Sequence, residues 1–157
     1  HQRGLVYKGR GATEVVRYRE VRGLHLDVLT TTTNGSSTRS GKIHVYLPDR
    51  RVEINPNIED VEKFLNALAN QAAEPVITNA VKDLRGGGEV DCGVFKLTPS
   101  GVEAEGKTLP YSNQLRAWVD STHVAVKAKK GQELKYRRSK VVNALYVEAM
   151  IRAMQPS

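Results

Sequence analysis

In Asn143-Ala144-Leu145-Tyr146-Val147-Glu148-Ala149-Met150-Ile151-Arg152-Ala153-Met154, the apolar residues Ala144, Val147, Ile151 and Met154 recur at spacings of 3, 4 and 3. That is one stripe of an amphipathic helix, and Asn143 stands where an N-cap belongs. The same pattern occurs earlier in the chain. Asn57 precedes Ile58, Val61, Leu65 and Leu68, again spaced 3, 4 and 3, with Phe64 widening the stripe. Glu59, Asp60 and Glu62 occupy the first turn, where acidic groups favour the helix dipole. This helix is expected to end near Ala73. Pro75 breaks it and starts a second short helix through Leu84.

Ahead of each helix the period changes from helical to two. Gly4–Lys8 and Ala12–Tyr18 read as strands joined by Gly9-Arg10-Gly11. In Val21–Leu29, Leu24, Leu26 and Val28 alternate with His25 and Asp27, and Lys42–Leu47 returns with Ile43, Val45 and Leu47. Between them Thr30–Gly41, centred on Asn34-Gly35, reads as a long mobile hairpin tip. Arg51–Ile54 is a further short strand. After the Gly86-Gly87-Gly88 linker come strands at Glu89–Leu97 and Val102–Ala104, then Thr108-Leu109-Pro110-Tyr111 and the segment Leu115–Val119, which holds Trp118. A last pair follows. His123–Lys129 carries Val124 and Val126, and Gln132–Arg138 carries Leu134 and Tyr136. Trp118, Tyr18 and Tyr111 are expected to anchor the cores.

Two strand-rich stretches, each ended by one helix, predict an α+β protein of two units, residues 1–84 and 85–157. In each, a small antiparallel sheet is closed by a C-terminal amphipathic helix, which is the logic of the pleckstrin-homology-like (PH-like) fold. The first unit carries the extra short helix after Pro75. Each half is near the size where a single core is marginal, so the two are expected to pack as one rigid body.

The residues also resemble a bacterial domain family of unknown function. The resemblance is carried by Gly4-Leu5-Val6-Tyr7, Val15-Val16-Arg17-Tyr18 and Gly93-Val94-Phe95-Lys96-Leu97-Thr98-Pro99-Ser100-Gly101-Val102. Thr108-Leu109-Pro110-Tyr111-Ser112 and Val141-Val142-Asn143-Ala144-Leu145 extend it over nearly the whole chain. That family commonly has Trp at the positions of Tyr18 and Tyr111, and Pro-Asn at Val142-Asn143. The resemblance implies two PH-like repeats, often downstream of membrane segments, and hence a cytoplasmic, membrane-proximal domain. It brings no catalytic or binding residues with it.

Composition bounds the function classes. At 157 residues, with 39% apolar and 26% charged residues, the chain has the make-up of a globular domain. No stretch reaches the 18 apolar residues of a spanning helix, and no signal peptide is recognisable. The chain begins at a strand, as an excised portion of something longer would. The single Cys92 cannot form an internal disulfide, which fits a reducing compartment. Beside Asp91 it reads as a buried small residue rather than a nucleophile. His25 and His44 flank one hairpin as two exposed polar-face histidines, and no third ligand stands at metal spacing. No nucleophile elbow, phosphate loop or paired-carboxylate motif is present, so the chain reads as non-enzymatic and implies no cofactor.

Net charge is +7. Residues 1–84 hold 12 Lys/Arg against 10 Asp/Glu, and residues 85–157 hold 12 against 7, so an acidic partner would dock on the second half. If Val124, Val126, Leu134 and Tyr136 face the core, Lys127, Lys129, Lys135 and Arg137 project together from the opposite face. Such a face suits lipid phosphates. It would equally suit a solvated edge guarded by Lys against aggregation. A second candidate anion site is Lys8 and Arg10 at the first hairpin turn, where Gly9 and Gly11 let backbone amides approach. Nucleic acid is disfavoured, because no aromatic is interleaved with these clusters. The expected partners are therefore an anionic membrane surface or, as the alternative, a protein. That protein would be held at a sheet edge or at the 30–41 segment. Oligomeric state is left open.

Overall fold

Alternating aliphatic residues build the first sheet row by row. The computed structural model describes residues 4–9, 12–57, 61–128 and 131–156, and the chain divides into two units, His1–Val76 and Ile77–Ser157. It is an α+β protein of antiparallel sheets and two α-helices.

In the first unit β1 (Gly4–Gly9) pairs with β2 (Ala12–Arg17). A separate sheet has the order β3 (Gly23–Thr33), β4 (Ser36–Tyr46), β5 (Arg51–Ile54). Its register stacks Leu24 on Val45 on Val52, and Leu26 on Ile43 on Ile54, and all six are buried. Segment 30–41 is paired strand rather than a long loop. The strands run without interruption to a two-residue turn at Asn34 (φ 50°) and Gly35 (φ 81°). Both positive angles match the twist of the strands, and β-branched Thr31–Thr33 favour extension against Ser36–Thr38. Thr32 Oγ1 lies 3.2 Å from Ser37 Oγ.

Helix α1 (Val61–Arg85) also departs from expectation, because it continues through Pro75. Leu68, Ala72, Val76, Ala80 and Leu84 are all buried at four-residue spacing, so one apolar stripe holds the helix on both sides of the proline. The cap expected at Asn57 would close on residues 58–60, outside those described.

In the second unit one sheet runs β6 (Val90–Asp91), β7 (Lys96–Leu97), β8 (Gly101–Ala104), β9 (Lys107–Pro110). The expected single strand at Glu89–Leu97 is instead a tight hairpin. Asp91 Oδ1 accepts from the Gly93 amide (2.8 Å), Gly93 has φ 88°, and the Cys92 amide donates to Phe95 O. The other sheet runs β10 (Arg116–Val119), β11 (His123–Lys127), β12 (Glu133–Arg137). Helix α2 (Val147–Met154) packs against β10 through a face that buries Val147, Met150 and Ile151. Asn143 does not cap it. Its backbone is left-handed (φ 62°), which Asn tolerates better than most residues. A 3-10 turn, Ala144–Tyr146, then intervenes.

Candidate functional site

The sheet β10–β11–β12 has two chemically distinct sides, because its register is unbroken. Toward the core, Val124 and Val126 are buried and stand opposite Tyr136 and Leu134. On the other side three rows cross the strands. Arg116, Lys127 and Glu133 form the first, Trp118, Ala125 and Lys135 the second, and His123 with Arg137 the third.

Arg116, Lys127, Lys135 and Arg137 are all exposed. Among the described residues none of the four is within ion-pair distance of a carboxylate. Some cations elsewhere are paired: Arg39 with Glu62, Arg50 with Glu14 and Asp49, Lys96 with Glu89 and Glu103. Arg116 and Lys127, like charges directly opposite, disfavour the strand pairing. The Arg116 guanidinium donates to the carbonyls of Asn113 and Leu115, at 2.6 and 3.2 Å. A shallow depression here is lined by Gln114, Arg116, Trp118, Lys127 and Ala128.

Trp118 corrects the expectation that it anchors a core. It is 43% exposed and stands among the cations, with the fully buried Ala125 between it and Lys135 in register. The β10 segment already contained the signal. Leu115, Ala117 and Val119 alternate with Arg116 and Trp118, so period two puts the indole on the wet side. Tyr18 and Tyr111 are half-buried, and the Tyr111 hydroxyl donates to Thr98 O at 2.8 Å.

The β10–β11 turn is pinned by Asp120. Its Oδ1 accepts from the amides of Thr122 (2.8 Å) and His123 (2.7 Å) and from the Thr122 hydroxyl (3.0 Å). These bonds favour the carboxylate, first through the Thr122 amide, and hold its pKa down at about 2.

Of the other expected site residues, Lys129 and Arg10 lie outside the described residues. Lys8 is exposed on β1, on the same side as Val6 and Val15, which are 61% and 54% exposed. His25 and His44 are direct cross-strand partners with ring centroids 5.5 Å apart. They are not two exposed histidines. The His44 side chain is only 12% exposed, because β5 covers its other flank, with Glu53 next in register. Burial, then Arg51 and His25, push its pKa down. Among the described residues no three His, Cys, Asp or Glu gather closely enough to hold a metal. Cys92 is buried, and burial followed by the Asp91 charge pushes its thiol up to about 12. No helix among the described residues is long and apolar enough to cross a membrane.

No curated protein and no solved structure matches the chain. Residues 1–145 match the family described as Family of unknown function (DUF6585), and the chain belongs to that family.

Proposed function

We propose that this member of a family of unknown function is a non-enzymatic interaction module whose β10–β12 face docks on an anionic membrane surface. One observation carries the reading: four exposed cations, without carboxylate partners among the described residues, share one sheet face with an exposed tryptophan. Each Lys or Arg near such a surface contributes about 1 kcal/mol, and the cytoplasmic leaflet is the anionic one, so a membrane-proximal cytoplasmic setting suits the chemistry. A sheet of four strands and a sheet of three, followed by a terminal helix, supports a PH-like reading of the second unit. The first unit, with strand sets of two and three before α1, is its shorter PH-like counterpart in a tandem.

Co-sedimentation with liposomes of rising phosphatidylserine content, at low and physiological salt, tests this reading. Binding is expected to track anionic lipid and fall with salt. In Lys127→Gln/Lys135→Gln/Arg137→Gln it is expected to weaken on the order of a hundredfold. Absence of binding at low salt overturns it.

A second reading has its own observation. β5 pairs with β4 only over Ile43–Tyr46, so the arm of the β3–β4 hairpin beyond it is two-stranded, and past Arg39, whose carbonyl accepts from Asn57 Nδ2, it offers strand addition to a protein partner. Partner binding would then survive the charge variant and be lost on deletion of residues 31–38.

A further inference from the structure

We infer that Trp118 is the residue that enters the bilayer interface, so that the β10–β12 face lies flat on the membrane with the indole at headgroup level. The inference rests on the membrane-docking reading and adds to it an orientation and an apolar contact that a purely electrostatic surface would lack. The geometry supports it in three ways. Trp118 is the largest exposed apolar side chain of the second unit, and it sits in the middle row of the cationic face, on the edge strand β10. The row above it carries Arg116 and Lys127, with Glu133 at its far end, and Lys135 lies across Ala125 in its own row, so the cations beside the indole are placed to hold lipid phosphates. Helix α2 packs on β10, and on the side bearing Trp118 the indole, Arg116, Lys127, Lys135 and Arg137 are exposed while Ala125 is buried beneath them. An indole combines an apolar body with one N–H donor, and such rings favour the membrane–water boundary. A single aromatic on a flat face suits that boundary better than single-stranded nucleic acid, which is held by several stacking rings in succession.

The chain contains one tryptophan, so its intrinsic tryptophan fluorescence reports this site alone. The full chain is titrated with phosphatidylcholine vesicles, with phosphatidylserine-containing vesicles, and with the latter carrying brominated acyl chains. Soluble glycerophosphoserine and oligo-dT serve as non-membrane arms. The expected result is a blue shift with anionic vesicles only, and quenching by the brominated chains. Trp118→Ala, with folding checked by circular dichroism, should weaken co-sedimentation about tenfold, and Trp118→Tyr should restore most of it. Co-sedimentation without shift or quenching overturns the inference and leaves charge-only docking standing. No co-sedimentation overturns both. A shift with glycerophosphoserine or oligo-dT but not with vesicles also overturns it, and reassigns the face to that soluble ligand.

Discussion

Arg116 and Lys127 are direct cross-strand partners in the antiparallel pair β10–β11, two like charges facing the same solvent. A double-mutant cycle between Arg116→Gln and Lys127→Gln isolates this pair from the bonds each makes elsewhere. The coupling is expected to be repulsive, about 0.2–1 kcal/mol at low salt, and to shrink in molar salt. Urea denaturation of the four proteins measures it. An attractive or absent coupling at low salt would mean that the two charges do not disfavour the β10–β11 pairing.

Stability is expected to fall on the acid side through His44. Its pKa in the folded chain lies below the ordinary value of 6.5, chiefly because β4 and β5 bury it beside Arg51 and His25. The unfolded chain therefore takes up the proton first. The stability His44 contributes is complete above about pH 6.5 and is lost as pH falls. Asp27 and Glu53 act in the opposite sense and are outweighed. Comparing wild type with His44→Gln by urea denaturation from about pH 7.5 to about pH 5 should show a shallower slope in the variant. Equal slopes would refute this.

Asp120 should remain ionised well below the usual carboxylate range. Its side-chain carbon signal, followed by NMR, is expected to titrate at about 2 rather than near 3.8. A depressed value means stability present above the ordinary pKa and lost as pH falls through the folded one. Asp120→Ala should lower the melting temperature by freeing the Thr122 and His123 amides beside the cationic face. An ordinary titration would mean that the turn is not held as described.

Two glycines of one hairpin should respond differently to alanine. A Cβ on Gly101 would collide with the backbone oxygen of Leu109, and neither strand can yield without losing its pairing, so Gly101→Ala is expected to cost about 1–3 kcal/mol or more. Gly106 has φ 74° and open space around it, so Gly106→Ala should cost only the left-handed backbone, about 1 kcal/mol. Chemical denaturation gives the order, and a reversed order would contradict the close approach of β8 and β9.

The wet and dry sides of β11 and β12 were legible from residue types alone. Val124 and Val126 against His123 and Lys127, and Leu134 and Tyr136 against Lys135 and Arg137, follow from a period of two, which is a property of one strand and requires no partner. The amphipathic stripes of the two helices are local in the same sense, and so is the Asn34-Gly35 turn. Tertiary structure decided the rest. Pro75 stays inside α1 because buried residues on both sides of it hold the helix, and no local propensity expresses that. Arg116 faces Lys127, and Trp118 shares a row with Lys135, through register between strands distant in sequence. The sequence by itself therefore determined which side of its strand each residue takes. Only cross-strand pairing, a contact between segments that do not adjoin along the chain, decided which wet residues stand together.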